Sequence, residues 1–437
     1  MNKNKLCAGI ARADITPRIG TCLYGYVPDL HSDSIRDNLT ATAFAFKSGD
    51  NSALMITATV CLINTQLDRQ TREKISEKVG IPTENILISA THTHSGPALD
   101  CETGWGEIDM EYYNEIFLPG IIKCSEEAMN SLQPVSMGIA SGKSKIGVNR
   151  REITPQNTIK LGQNPWGVFN PEMTVISFKN EAGKVIGNMI HYGLHGTAAG
   201  CSRAISRDWS GHMTDAVEEF SGGITAFFNG PEGDVGPRLS NGKTTGDGDL
   251  NFVTELGMQA SADALAIFKK IDKYENADVD VYAGKVSIPL KKRIPLAEAE
   301  AILKTLNDNG NNINFLRYTH YKELVESYSN GFAEETHRNY DQTVVKLGEV
   351  VFAPSPFEMF SEVGMRIDKM TEDFKVLSLS NTNGSEGYFP TQDQLCRGGY
   401  EVEMIALSEL QAPVDDADFK FIEETLRNID ILKGWKK

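Results

Sequence analysis

Residues 39–61 have the sequence LTATAFAFKSGDNSALMITATVC, in which two alternating apolar runs flank the turn segment 48–51. Alternation with a period of two is typical of β-strands, and a short Gly/Asp/Asn segment between two such runs predicts a β-hairpin. Residues 67–80, LDRQTREKISEKVG, have helical spacing and end on a glycine suited to a helix C-cap. Residues 85–97, NILISATHTHSGP, return to an apolar strand that stops at Gly96. Strand, helix and strand in this order predict a crossover unit and hence an α/β fold.

The rest of the chain continues this pattern. Residues 296–340 are charged and helical in pattern, which predicts a helical insert. The chain has 437 residues, 40% of them hydrophobic, which fits one large domain with a sizeable core. We therefore expect an α/β fold of large mixed β-sheets flanked by helices, in a single catalytic domain over 1–437. The other predicted elements are a hairpin at 172–196, a helix at 207–220, strands at 223–228, 347–355 and 374–384, and a terminal helix at 415–437.

Charge and composition exclude some function classes. A formal net charge of −16 repels phosphate backbones, so we expect no nucleic-acid partner. No apolar run is long enough to span a bilayer. The seven cysteines form no CxxC pair, which favours reduced thiols. The N-terminal MNKNKLCAGIARADITP lacks an apolar signal-peptide core, so we expect a cytoplasmic location, with secretion left open if the natural chain begins further upstream.

Four residues with metal-binding side chains follow predicted strands at separate places in the sequence. Each has an ordinary interpretation alone: a polar residue at a strand end, a core histidine, a solvated carboxylate and a packed aromatic. Together, two imidazoles, a carboxylate and a phenol form an N/O ligand set that suits a zinc ion with an open position for water. These residues are His92 in THTH, His195 in HYGLHGT, Glu358 in APSPFEMF and Tyr388 in GSEGYFP.

A series of motifs across nearly the whole chain carries a family resemblance. The sequence resembles the neutral/alkaline non-lysosomal ceramidase family, whose landmarks appear here in the family's order. They are ADITP (13–17), GY (25–26), SATHTHSGP (89–97), VNR (148–150), HGT (195–197), RDWSG (207–211), GPEGDVGP (230–237), the Glu358 segment, GYFPT (387–391) and GGYE (398–401).

The resemblance implies roles for individual residues. It implies that a zinc ion is held by His92, His195, Glu358 and Tyr388. His94 is expected beside the metal, in contact with the substrate or its developing oxyanion, Arg150 near the scissile carbonyl, and Tyr400 in the pocket wall. Asp208 and Asp234 lie in matching segments and are expected to support the residues of the site or to structure loops, rather than to act in catalysis. The implied activity is hydrolysis of an amide (N-acyl) bond in a small-molecule substrate by metal-activated water, in lipid and specifically sphingolipid metabolism.

Three departures from the family pattern keep the substrate open. Gly236 stands where ceramidases usually carry a serine, so no serine at that position can act as nucleophile. From the sequence we expect neither the family's C-terminal β-rich domain nor a secretion signal. An ester, lactone or sugar-linkage hydrolase that uses the same metal therefore remains an alternative. So does a non-catalytic binding protein that retains the fold.

Overall fold

A computed structural model describes residues 5–100, 107–308 and 313–434. Short 3₁₀ and π turns, at Thr83–Asn85 and Tyr113–Phe117, complete the regular structure in these ranges. The strands are β1 (Cys7–Asp14), β2 (Ser34–Ile35), β3 (Thr40–Ser48), β4 (Asn51–Ala58), β5 (Ile86–Ala90), β6 (Gln133–Lys143), β7 (Gly147–Ile153), β8 (Ile159–Asn164), β9 (Glu172–Asn180), β10 (Val185–Tyr192), β11 (Ala204–Ile205), β12 (Ile224–Asn229), β13 (Val235–Pro237), β14 (Val279–Pro289), β15 (His337–Leu347), β16 (Val350–Pro354), β17 (Glu358–Met359), β18 (Lys375–Leu379) and β19 (Tyr388–Phe389). The helices are α1 (Thr65–Val79), α2 (Met110–Tyr112), α3 (Leu118–Asn130), α4 (Asp208–Ser221), α5 (Leu250–Phe268), α6 (Leu296–Leu303), α7 (Ile313–Ser327), α8 (Ser361–Met370), α9 (Gln392–Leu395), α10 (Tyr400–Ser408) and α11 (Ala417–Leu432).

An eight-stranded mixed sheet, in the order β12-β10-β9-β6-β1-β3-β4-β5, forms the centre of the molecule. The side chains of strand β3 explain why this strand lies in the interior of the molecule. Ala41 and Ala43 point to one face and Phe44 and Phe46 to the other, and all four are fully buried. Because successive side chains on a strand alternate between faces, a strand buried on both sides must lie between two layers.

The two faces of this sheet pack against different partners. On one face, the Phe44 side chain joins Phe178 and Phe228 against residues of a four-stranded sheet with the order β14-β15-β16-β18. On the opposite face, apolar residues of α1 and α3 cover one half of the sheet and those of α4 and α5 cover the other. Helices α8 and α11 cover the outer face of the four-stranded sheet. The layers are therefore helix, sheet, sheet and helix.

Three parallel strand pairs determine where loops can meet. β4 pairs with β5, β10 with β12, and β16 with β18, all in parallel. The carboxyl ends of parallel strands lie at the same edge of a sheet, and the loops that leave them gather there. The candidate residues His92, His195 and Glu358 all follow such ends.

The mixed α/β fold predicted from the sequence is confirmed, and so are both hairpins. β3 and β4 pair across the predicted turn, with Ser48 opposite Asn51, and β9 pairs with β10. Helix α1 ends on Gly80, whose φ of 73° is the left-handed conformation expected of a C-cap glycine. The predicted strand at 85–97 is shorter than expected and ends at Ala90.

The prediction of a helical segment at 296–340 is wrong for the C-terminal end of that range. Helices α6 and α7 occupy its first part, and residues 309–312 lie outside the described residues. Residues 337–340 begin strand β15, which pairs along its whole length with β14. Polar residues fit this strand because its side chains alternate between two faces. His337, Asn339 and Asp341 are exposed, whereas Tyr340 and Gln342 are buried.

No helix within the described ranges combines the length and the apolar character that a membrane span needs.

Candidate metal centre

His92 and His195 lie on two loop segments that are joined by backbone hydrogen bonds. The amide of Gly196 donates to the carbonyl of His92 at 3.1 Å, and the amide of His94 donates to the carbonyl of Gly196 at 3.1 Å. A Cβ atom at position 196 would lie 2.7 Å from the His92 carbonyl oxygen, so the close approach requires glycine. His92 itself has a φ of 64°, a strained conformation for a histidine. Such strain persists where surrounding contacts impose it, and it is common at functional sites.

The side-chain donor atoms of His92, His195 and Glu358 converge on one buried point. Glu358 Oε2 lies 3.1 Å from His195 Nε2 and 3.4 Å from His92 Nε2. Atoms that bind a tetrahedral zinc ion at about 2.0–2.2 Å lie roughly 3.3–3.5 Å from one another. The separation of 3.4 Å falls within that range and the separation of 3.1 Å lies slightly below it. His94 Nε2 is also close, at 3.2 Å from His92 Nε2.

Backbone carbonyls determine the tautomer of each histidine. The Nδ1 atom of His94 lies 3.0 Å from the Gly25 carbonyl, that of His195 2.9 Å from the Glu232 carbonyl, and that of His92 3.2 Å from the Cys61 carbonyl. A carbonyl oxygen can only accept, so each Nδ1 carries the hydrogen and each Nε2 presents a lone pair. Hydrogen bonds of this kind orient metal-binding histidines.

The cluster contains buried acceptor atoms that could hold a cation. Burial lowers the pKa of His92 and His195 well below the usual value and that of His94 to about 3, so the three rings are neutral. Among the described residues, His195 Nε2 and Glu358 Oε2 are buried and have no hydrogen-bond donor. Leaving such atoms unsatisfied is costly, and a metal ion is the natural partner for two neutral imidazoles and a carboxylate. The residues therefore fit the metal implied by the sequence.

Arg150 and Tyr388 form a second group beside this cluster. β17 and β19 pair in parallel, which places Tyr388 directly beside Glu358. Arg150 Nη2 donates to Tyr388 Oη at 3.0 Å, and burial followed by the charge of Glu358 raises the pKa of Tyr388. Burial alone would lower the pKa of Arg150, but Tyr388, Glu401 and Glu358 raise it above the usual value. Arg150 is thus a fixed cation at the edge of the site.

Glu401 holds this arginine and was not identified from the sequence. Arg150 Nε donates to Glu401 Oε1 at 2.8 Å, and Arg151 Nη1 donates to Glu401 Oε2 at 2.6 Å. All three side chains are buried. Tyr400, the neighbour of Glu401, contributes to the site through Tyr388, since their ring centroids are 6.0 Å apart.

Glu232 and Asn381 were also missed. The Asn381 side chain donates to Glu232 Oε1 at 2.6 Å and lies 3.3 Å from His92 Nδ1. Burial, followed by the charge of Glu358, raises the pKa of Glu232 well above the usual value. Both Glu232 and Glu401 fall inside the quoted motifs GPEGDVGP and GGYE. Only their burial distinguishes these two glutamates from ordinary loop carboxylates. Their burial depends on the fold and could not be predicted from the motifs.

The prediction that Asp208 and Asp234 structure loops is confirmed. Asp208 accepts hydrogen bonds from the amides of Ala198, Ala199 and Trp209. Asp234 accepts from the amide and the hydroxyl of Ser361 and from the Asn149 side chain, which ties its loop to α8 and β7.

His191 lies outside the donor cluster. Its Nε2 donates to the Ser378 carbonyl at 2.8 Å, and burial lowers its pKa to about 4. It is a satisfied core histidine.

Comparisons with known proteins agree with the resemblance. The family model described as neutral/alkaline non-lysosomal ceramidase, N-terminal, matches residues 6–256. Neutral ceramidase A of Dictyostelium discoideum is 29% identical over 259 residues, which are 54% of this chain and 36% of that protein. The neutral ceramidase of Pseudomonas aeruginosa is 26% identical over 196 residues, 42% of this chain and 29% of that protein. The matched region thus spans about a third of the length of these relatives.

The fold is shared with a solved structure. The crystal structure of neutral ceramidase from Pseudomonas aeruginosa superposes with a TM-score of 0.76 at 19% identity, and the match covers 98% of this chain and 75% of that one. A structure bearing the description "Ceramidase complexed with C2" superposes with a TM-score of 0.75. At this identity the superposition establishes the fold, while the family model covers more than half of the sequence. The chain therefore belongs to the neutral/alkaline non-lysosomal ceramidase family.

Proposed function

We propose that this protein is a zinc-dependent hydrolase that cleaves an amide (N-acyl) bond. His92, His195, Glu358 and Tyr388 would hold the zinc ion. The single observation that carries the proposal is the pair of buried acceptors without donors, His195 Nε2 and Glu358 Oε2, on one point beside His92 Nε2. Zinc bound there would supply a Lewis acid and a water whose pKa is lowered toward neutrality.

Arg150 would stabilise negative charge on the scissile carbonyl. Arg150 is a preoriented cation, because Glu401 fixes its Nε and leaves Nη2 directed at Tyr388 Oη. Fixed donors of this kind in a buried site need no reorganisation when charge develops, and losing one typically costs about 10²–10³ in kcat.

His94 is better suited to accept a hydrogen bond than to donate one. Because its Nδ1–H is donated to the Gly25 carbonyl, Nε2 has no hydrogen for an oxyanion. We therefore propose that His94 contacts the substrate through Nε2 as a hydrogen-bond acceptor. The ring of Tyr26, whose centroid lies 4.9 Å away, packs beside it.

The proposed substrate is an N-acyl lipid of the ceramide type or a smaller N-acyl compound. The relatives are named neutral ceramidases, which supports an N-acyl substrate. A cavity of about 360 Å³ reaches Tyr388 and is lined mainly by apolar residues such as Phe389, Leu395, Val402 and Ala406. It offers an apolar surface for part of an acyl chain.

Hydrolysis of matched amide and ester substrates tests the proposal. Short-chain ceramide and an O-acyl analogue with the same acyl chain would be incubated with zinc-loaded protein, and the released fatty acid measured by mass spectrometry. Glu358→Gln is the control variant, since it removes one proposed ligand. We expect amide cleavage that a chelator abolishes, zinc restores and the variant lacks. Cleavage of the ester alone would refute the amidase assignment, and cleavage of neither would favour a binding protein.

A further inference from the structure

The hydroxyl of Thr244 is a buried polar group that the proposed mechanism does not use. Thr244 is 2% exposed. Its Oγ1 has no hydrogen-bond partner in the part of the chain that the structure describes. Buried hydroxyls in folded proteins nearly always have a partner, and one without a protein partner indicates a missing ligand or water.

This hydroxyl lies on the face of the small sheet that carries Arg150. β13 pairs antiparallel with β7, and Gly236 lies opposite Val148. A Cβ atom built on Gly236 would lie 3.3 Å from Arg150 Cβ and 1.8 Å from Thr244 Oγ1. The Thr244 hydroxyl therefore fills the space that a side chain at position 236 would take, next to the base of Arg150. Any side chain at 236 would displace it.

Two side-chain hydrogen bonds hold the backbone around Thr244 in place. Thr197 Oγ1 donates to the Thr244 carbonyl at 3.3 Å, and Gln163 Nε2 donates to the Lys243 carbonyl at 2.7 Å. Thr197 follows His195 by two residues, and its own carbonyl accepts from Tyr26 Oη at 3.2 Å. These contacts fix the hydroxyl in position without using it, as expected of a preorganised binding group.

We propose that Thr244 is a substrate-binding residue whose hydroxyl hydrogen-bonds a polar group of the N-acyl substrate next to the bond that is cleaved. The inference rests on the proposed function for the class of substrate. A threonine hydroxyl can both donate and accept, so it can pair with a hydroxyl or an amide of that substrate. A site built to bind such a group discriminates strongly against analogues that lack it.

Two threonine-to-valine variants separate a binding role from a structural one. Valine has nearly the same shape as threonine, so Thr244→Val removes the hydroxyl and little else. The control is Thr57→Val, because Thr57 is also buried but its Oγ1 donates to the Phe227 carbonyl at 2.7 Å within the core. Thermal unfolding and kcat/KM for short-chain ceramide would be measured for wild type, both variants and Thr244→Ser.

The expected results differ in direction. Thr244→Val should keep or raise the Tm, because it removes an unpaired buried hydroxyl, and should lower kcat/KM by about tenfold or more. Thr244→Ser should retain most of the activity. Thr57→Val should lower the Tm and leave kcat/KM of the folded enzyme unchanged. An unchanged kcat/KM for Thr244→Val, or a Tm loss equal to that of Thr57→Val, would overturn the inference.

A binding measurement keeps the inference testable apart from turnover. Short-chain ceramide would be titrated by calorimetry into Glu358→Gln protein with and without Thr244→Val. We expect about a tenfold weaker Kd when the hydroxyl is absent. Equal Kd values would overturn the Thr244 assignment even if the enzyme hydrolyses amides. Weaker binding without any wild-type turnover would instead refute the proposed function alone.

Discussion

Replacing Glu401 by glutamine should destabilise the protein far more than its position on a short helix suggests. The carboxylate of Glu401 joins two buried guanidinium groups, with bonds of 2.8 Å to Arg150 Nε and 2.6 Å to Arg151 Nη1. A glutamine oxygen can accept from one arginine, but its amide would direct N–H groups at the other. Removing one partner of a buried ion pair costs about 3–5 kcal/mol, because the remaining charges stay buried. We therefore expect a loss of at least about 3 kcal/mol in the free energy of unfolding.

The control for this prediction lies two residues away on the same helix. Glu403 forms an ion pair with Arg317 whose side chains are 29% and 42% exposed. Exposed pairs contribute about 0–1 kcal/mol, so Glu403→Gln should have little effect. Urea unfolding of zinc-loaded wild type and both variants, followed by fluorescence or circular dichroism, gives the comparison. Equal unfolding midpoints for the two variants would refute the claim that Glu401 is a buried anchor for Arg150.

Two further predictions concern the arginine and the buried aspartate. Arg150→Ala should retain bound zinc but lower kcat by about 10²–10³, since Glu401 remains paired with Arg151 and only the fixed cation is lost; unchanged turnover would exclude a role in the transition state. Burial raises the pKa of Asp208 from 3.8 to about 6, so the folded state binds this proton more tightly than the unfolded chain and Asp208 destabilises the protein above pH 6. The stability of wild type relative to Asp208→Asn should therefore rise by about 2.4 kcal/mol as the pH falls from 7 to 4 in chemical unfolding experiments, and parallel pH profiles would contradict this.

Local sequence patterns were sufficient to predict many strands of the central sheet. The hairpin at 39–61 could be predicted because its apolar alternation and its turn residues give the same answer. The C-terminal end of the helical segment at 296–340 could not, because the pairing of β15 with β14 joins residues about sixty positions apart. Pairing between distant segments is a tertiary effect that can override a local helical pattern.

Some residues of the candidate site could likewise be identified from the sequence, and others could not. The side chains of His92, His195 and Glu358 were identifiable because each follows an apolar strand in a specific motif, and the structure brings their donor atoms together. Their assignment as zinc ligands, with Tyr388, remains a proposal. Glu401 gave no such signal, since a surface carboxylate and a buried one look alike in sequence.

Gly236 illustrates what a sequence motif cannot predict about the site. The sequence shows that this position has no hydroxyl. It does not show that Thr244, eight residues further on, places one in the same space. That relation depends on the path of the loop after β13, which local patterns do not determine.

Zinc content of the purified protein tests the central claim most directly. Wild type, His195→Asn and His191→Asn would be equilibrated with zinc, dialysed and measured by inductively coupled plasma mass spectrometry. His191 is the matched control, because it is buried and its Nε2 is already bonded to the Ser378 carbonyl. We predict one zinc ion per chain in wild type and His191→Asn, and almost none in His195→Asn. Wild type that takes up no zinc, or a His195 variant that keeps a full equivalent, would contradict the account.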